Sequence, residues 1–253
     1  MNNTNKKPRI AVFDLTDCEG CELQFLAKEA ELENILKQVE FCNIRLLSEE
    51  KEIDNIDVSF IEGTPLTQED IDILYTIREK SKKVIAFGTC AATGGIASGL
   101  NVNDRSKLAK CIYGKNYKLK IKEALPLSSY IKIDFVIPGC PVDPLFLKDS
   151  LLKILNIGWI VAEDFPVCQE CKGNGNDCLL KKGEFCLGPI TSAGCGAPCP
   201  SAKFGCLGCM DILKDANLTQ FRRALKNKKI TNERINQLYD FYLKNNETIQ
   251  KTK

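Results

Sequence analysis

Lys83-Val84-Ile85-Ala86-Phe87-Gly88-Thr89-Cys90-Ala91 is an apolar run that stops at a glycine and delivers a cysteine just beyond it. A run this short, with no proline inside it, predicts a buried strand rather than a helix. Arg9-Ile10-Ala11-Val12-Phe13, Val58-Ser59-Phe60-Ile61 and Ile133-Asp134-Phe135-Val136-Ile137 read the same way. Helical patterns separate them, over about residues 22–38, from Thr67-Gln68-Glu69-Asp70 onward, and over residues 144–155. Thr67 is expected to be an N-cap with the acidic pair at the positive end of the helix dipole, and Pro144 suits a first helical turn. Parallel strands need crossover connections, so this alternation predicts an α/β fold built on a doubly wound parallel sheet.

The cysteines punctuate that sheet. Cys18 and Cys21 follow the first strand in Asp17-Cys18-Glu19-Gly20-Cys21, Cys90 follows the third, and Cys140 follows the fourth in Pro138-Gly139-Cys140-Pro141. The carboxyl ends of parallel strands share one edge, where open sheets bind ligands. Four cysteines distant in sequence therefore converge, and four thiolates are what a cubane iron–sulfur cluster takes. Gly20, Gly88, Gly94, Gly95 and Gly139 let the backbone approach closely and offer amide N–H groups to sulfur. The plainer alternative is a group of buried structural thiols, and the shared edge argues against it.

Composition narrows the chemistry. The 253 residues are 44% hydrophobic and 27% charged with a formal balance of +2, which gives no bulk pull toward nucleic acid or a membrane surface. There are 14 cysteines and no histidine. The lack of histidine removes the commonest general base, the commonest zinc ligand and Rieske-type ligation together. The first eight residues lead directly into a strand with no apolar signal segment. No stretch approaches the ~18 apolar residues of a spanning helix. A reducing, cytoplasmic setting is expected, and dense cysteine there means metal binding rather than disulfides.

Residues 168–209 hold eight cysteines, eight glycines and three prolines in 42 residues. Such a stretch is not expected to build an ordinary apolar core, and metal clusters would hold it together instead. Cys168-x2-Cys171, Cys178, Cys186, Cys195, Cys199 and Cys206-x2-Cys209 supply two further sets of four. A zinc ribbon on the two Cys-x2-Cys pairs is the competing reading, and it leaves four thiols without a role. Cys42, in an expected strand over residues 40–46, and Cys111 read as core thiols outside the ligand set. Phe221, Leu225, Ile235, Leu238 and Phe241 predict one or two short amphipathic helices at the end, with residues 226–229 solvated.

Asp14-Leu15-Thr16-Asp17-Cys18-Glu19-Gly20-Cys21-Glu22, Glu62-Gly63, Gly88-Thr89-Cys90-Ala91 and Pro138-Gly139-Cys140-Pro141, in that order, resemble the small subunit of nickel–iron hydrogenases. The N-terminal pattern is shared with the related cluster subunit of respiratory NADH dehydrogenases. The resemblance extends over residues 9–210 or so. It implies that Cys18, Cys21, Cys90 and Cys140 bind a proximal [4Fe–4S] cluster. Cys168, Cys171, Cys178 and Cys186 would bind a distal one, and Cys195, Cys199, Cys206 and Cys209 a medial one. Membrane-linked members have a histidine where this chain has Cys168, and often lack a counterpart of Cys199. Both departures match the cytoplasmic, sulfhydrogenase and heterodisulfide-reductase-linked members, whose similar subunit carries three [4Fe–4S] clusters. The absence of a twin-arginine signal agrees.

The expected architecture is thus a flavodoxin-like α/β domain over residues 1–162, followed over residues 163–253 by a loop-rich iron–sulfur domain with short terminal helices. The resemblance implies that H2 is split or formed at a nickel–iron centre on a large partner subunit. This chain would relay electrons between that centre and a flavin- or iron–sulfur-containing acceptor subunit. No nucleophile–base arrangement is present. Gly94-Gly95-Ile96-Ala97-Ser98-Gly99 lacks G-x-G-x-x-G spacing, so NAD(P), deazaflavin or flavin would belong to a partner. Glu19 and Glu22 read either as proton-handling groups or as solvated, helix-start carboxylates. Exposed apolar surface for the large subunit is expected, with no nucleic acid and no membrane insertion. Two rival functions are a cluster subunit of an NADH-dehydrogenase-like complex, which uses only the N-terminal cluster, and a zinc-stabilised interaction protein without redox chemistry.

Overall fold

Five parallel strands, β1 (Arg9–Asp14), β2 (Glu40–Ile44), β3 (Ile56–Glu62), β4 (Ser81–Phe87) and β5 (Phe135–Ile137), lie in the order β2-β1-β3-β4-β5. This is the flavodoxin-like doubly wound order, whose ligand crevice opens beyond the carboxyl ends of β1 and β3. The structure, a computed structural model, describes residues 7–26, 30–45, 53–156, 158 and 164–251. Helices α1 (Ala30–Leu36), α2 (Gln68–Lys80), α3 (Gly88–Thr93), α4 (Val102–Tyr113) and α5 (Pro144–Asn156) accompany the sheet. Among the described residues no helix is long and apolar enough to cross a membrane.

The period-2 alternation of the strands sorts their side chains onto two cores. Ile10, Val12, Val58, Phe60, Ile85 and Phe87 bury against Phe25 and against Leu147, Leu151 and Ile154 of α5. Ala11, Phe13, Ile61, Val84 and Ala86 bury on the other face, with Leu74 and Ile77 of α2 and with Leu127 and Ile131. Each large side chain buried this way stabilises the sheet by roughly 1.5–3 kcal/mol. The expected cap of α2 is present: Thr67 Oγ1 accepts from Asp70 N at 3.1 Å, and the Asp70 carboxylate accepts from Thr67 N at 2.9 Å.

Local departures from the sequence reading have local causes. The helix expected over residues 22–38 is a 3-10 turn, Glu22–Leu26, and then α1, with residues 27–29 outside the described residues. The turn is tight because the Glu62 carboxylate at the end of β3 accepts from both Cys21 N and Glu22 N, at 3.0 and 2.6 Å. Strand β2 ends at Ile44, and Leu46 is outside the described residues. The 162/163 boundary also falls outside them. Strand β5 begins only at Phe135, because Asp134 turns its carboxylate back onto Val84 N and Arg78.

Beyond the sheet come α6 (Val167–Gly173), α7 (Pro198–Ser201), α8 (Leu218–Asn227), α9 (Asn232–Tyr242) and α10 (Glu247–Gln250). The terminal region thus holds three helices rather than one or two. They also correct the expectation of a cysteine-rich segment without an apolar core. Leu187 and Ile190 of that segment bury against Leu218, Phe221 and Leu225 of α8 and against Ile235 and Tyr239 of α9. The predicted solvated stretch over residues 226–229 is exposed.

Candidate iron–sulfur sites

The carboxyl edge of the sheet gathers the first set. Cys18 and Cys21 lie in the turn after β1, Cys90 in α3 directly after β4, and Cys140 just after β5. Glycine is required beside the sulfurs. A Cβ on Gly88, at φ +83, would lie 2.5 Å from Cys21 Sγ, and one on Gly95 would lie 2.7 Å from Cys90 Sγ. Burial pushes the Cys90 thiol up to about 12, and the neighbouring charges of Cys140, Asp17, Cys18 and Glu62 push the same way. Burial raises Cys21 and Cys140 as well. Thr89 braces this edge: its N donates to Gly139 O at 2.9 Å, and its hydroxyl accepts from Gly139 N at 3.2 Å.

Acidic side chains crowd the same edge. Glu62 is buried, and desolvation pushes its carboxyl up to about 7 against the lowering effect of its backbone N–H donors. Glu22 is fully buried, which overturns its reading as a solvated carboxylate. Glu19 takes positive φ, at 59°, and pairs with Arg45 at 3.1 Å.

Cys195, Cys199, Cys206 and Cys209 line one cavity of ≈ 220 Å³ together with Cys140 and Tyr242. Left-handed Ala197 turns the chain into α7 and so brings Cys199 to the cavity. Burial pushes Cys209 up to about 12, with Cys195, Cys140 and Cys199 among its charged neighbours. Tyr242, at the end of α9, lines the same cavity as Cys140. The cavity therefore adjoins the first set.

Cys168, Cys171, Cys178 and Cys186 form the remaining group. Cys168 is pushed up to about 11 by burial and then by the charges of Cys186, Cys171 and Cys178. A Cβ on Gly188 would lie 3.3 Å from Cys168 Sγ and 3.4 Å from Cys186 Sγ. Cys186 Sγ accepts from Gly188 N at 3.4 Å and from Cys206 N at 3.3 Å. The Cys206 contact joins this group to the cavity, so the groups run in space from the strand-end set, through the cavity, to Cys168 and its neighbours.

These surroundings fit thiolate-bound iron–sulfur clusters. All of the cysteines are free, and burial disfavours ionisation of most of the grouped thiols until a cation binds. A metal centre supplies that charge and deprotonates them. Among the described residues no three Cys, Asp or Glu side chains close around a single ion. Cys42 is half-buried on β2, where its thiol donates to Ile10 O at 3.4 Å. Cys111 is exposed, contrary to its reading as a core thiol; its neighbour Ile112 is 72% exposed, and only Ala109 of α4 is buried. Thr89, Glu170 and Tyr242 are functional contacts that the sequence did not single out. Thr89 carried a signal as part of Gly88-Thr89-Cys90-Ala91, and Glu170 as a carboxylate inside a Cys-x2-Cys pair.

A family model described as NADH ubiquinone oxidoreductase, 20 Kd subunit, matches residues 18–154. Sulfhydrogenase 2 subunit delta of Pyrococcus furiosus is 38% identical over 220 residues, covering 86% of this chain and 92% of that one. A vhu subunit of the F420-non-reducing hydrogenase of Methanocaldococcus jannaschii is 33% identical over 232 residues, covering 79% of this chain and 81% of the relative. Among solved structures, the [NiFeSe] hydrogenase of Desulfovibrio vulgaris Hildenborough shares the fold at TM-score 0.55 and 17% identity, over 85% of this chain and 96% of that one. The chain belongs to the NADH ubiquinone oxidoreductase 20 kDa subunit family, and within it to the hydrogenase subunits.

Proposed function

We propose that this chain is the electron-transfer small subunit of a cytoplasmic nickel–iron hydrogenase and holds three [4Fe–4S] clusters. Cys18, Cys21, Cys90 and Cys140 hold the proximal cluster in the α/β domain, residues 1–162. In residues 163–253, Cys195, Cys199, Cys206 and Cys209 hold the medial cluster, and Cys168, Cys171, Cys178 and Cys186 the distal one. When bound, the clusters supply one-electron steps between a large subunit, where H2 yields two protons and two electrons at a nickel–iron centre, and an acceptor subunit carrying flavin or iron–sulfur groups. One observation carries this reading: the three groups are contiguous, Thr89 Oγ1 donating to Cys209 O at 2.8 Å and Cys206 N to Cys186 Sγ at 3.3 Å. Isolated structural ions would not need contiguous sites.

The protein's own groups shape each site. Gly188 N and Cys206 N both hydrogen-bond the Cys186 sulfur, an interaction that favours the more negative, reduced state of a cluster bound there. Leu23 and Leu26, 50% and 39% exposed beside the first set, give apolar surface to the large subunit. Exposed Cys178 supports an exit toward the acceptor at the opposite end. The complete second and third sets speak against the dehydrogenase-like role, and a ribbon on the two Cys-x2-Cys pairs would leave four of their thiols without a role.

The test uses the anaerobic complex with its partner subunits under H2. Dye reduction is expected, and Cys178→Ser is expected to abolish it at the acceptor side while H2/D2 exchange at the large subunit persists. Full dye reduction by that variant would overturn the relay.

A further inference from the structure

Helix α6 reaches two sites at once. It carries Cys168 and Cys171, with Glu170 between them. Glu170 Oε1 accepts from Gly194 N at 2.9 Å and from Gly196 N at 3.1 Å, the two amides flanking Cys195. Its Oε2 lies 4.0 Å from the Cys195 sulfur. One turn further, Asn174 Nδ2 donates to Gly196 O at 2.8 Å and to Ser201 Oγ of α7 at 3.3 Å. Residues four apart share a helix face, so one face of α6, together with its C-cap Asn174, grips the loop over residues 194–196 and the end of α7.

That loop needs an external tie. Gly194 and Gly196 take φ of +119° and +67°, and glycine lends a loop little stiffness of its own. Two N–H groups directed at one carboxylate oxygen are charge-assisted bonds, about twice as strong as neutral ones. The same carboxylate places negative charge beside a sulfur of the medial set. Reduction adds an electron to a cluster, and a fixed anion close by opposes it, because cluster potentials follow local charge and hydrogen bonding.

We propose that Glu170 is a positioning residue shared by two sites: from the helix that carries Cys168 and Cys171 it fixes Cys195 for ligation, and its charge lowers the reduction potential of the medial cluster. This rests on the relay reading given above.

The experiment compares wild type, Glu170→Gln, Glu170→Ala and Asn174→Ala in the anaerobic complex, by iron content and by redox titration followed by electron paramagnetic resonance. Glu170→Gln keeps an oxygen for both N–H groups and removes the charge. It is expected to retain wild-type iron and to move one of three midpoint potentials, the medial one, to a more positive value. Glu170→Ala is expected to lose about a third of the iron together with the medial signal, about four of about twelve atoms. Asn174→Ala removes a second tie without touching the charge, and is expected to leave the potentials where they were. Unchanged potentials in Glu170→Gln, or an equal shift in Asn174→Ala, would overturn the charge effect. Full iron in Glu170→Ala would overturn the positioning role. A wild-type protein with well under twelve irons would instead count against the relay reading itself.

Discussion

The Thr89 hydroxyl donates to the Cys209 carbonyl at 2.8 Å across a sequence separation of 120, while accepting from Gly139 N at 3.2 Å. One side chain thereby ties the backbone beside Cys90, Cys140 and Cys209. Thr89→Val keeps the shape and deletes both bonds, leaving buried polar groups without partners. The cost is expected to be about 1–3 kcal/mol, seen as a lower denaturation midpoint for the assembled protein. An unchanged midpoint would show that the tie is dispensable.

Glycine substitutions separate backbone strain from loss of room for sulfur. Gly88 and Gly175 both have positive φ, at +83° and +72°, but a Cβ on Gly88 meets Cys21 Sγ at 2.5 Å whereas one on Gly175 meets nothing within 4 Å. Both alanine variants bear the cost of a left-handed residue, roughly 1–2 kcal/mol. Only Gly88→Ala is expected to lose iron, about four atoms per chain, when iron is assayed after anaerobic purification. Equal iron in the two variants would contradict the crowding argument.

Much of this arrangement was legible because it rests on periodicity. The strand cores around Val12, Phe60 and Ile85 follow from apolar runs, and the cap at Thr67 follows from a side chain acting on its own turn. The strand-end cysteines followed from topology, since parallel strands present their carboxyl ends together. Contacts made across the fold were not legible. Glu62 shortens the turn at Cys21 from 41 residues away, and Tyr242 joins Cys140 in lining the cavity from a terminal helix whose pattern announced only burial. Cys111 was misread because its apolar neighbour Ile112 suggested a core that α4 does not face.

Cys111 supplies a control for the cysteine assignments. Being exposed on α4, its replacement by serine is expected to change neither iron content nor unfolding. Cys186→Ser, at a buried thiol that accepts two backbone N–H groups, is expected to lose a cluster's worth of iron. Iron loss in Cys111→Ser, measured on the same anaerobic preparation, would show that the ligand set is drawn wrongly.

Asp134 gives a pH signature independent of the cysteines. Desolvation opposes its charge, but the bonds from Arg78 at 2.6 Å and Val84 N at 2.8 Å outweigh this and hold the carboxyl below its usual range. A depressed folded-state pKa contributes stability that is fully present above the unfolded value, ~3.9, and is lost as pH falls through the folded value. Asp134→Asn is expected to cost about 1.5–3 kcal/mol near neutrality. In denaturant titrations the gap to wild type should close on acidification. A gap that widens toward low pH would reverse the assignment.

The most direct measurement is the iron and zinc content of the anaerobically purified complex, with iron assigned per copy of this chain. About twelve irons and no zinc is the expected result for three four-iron clusters. About four irons would confine cluster binding to the strand-end set, and zinc without iron, in material never exposed to oxygen, would contradict the electron relay altogether.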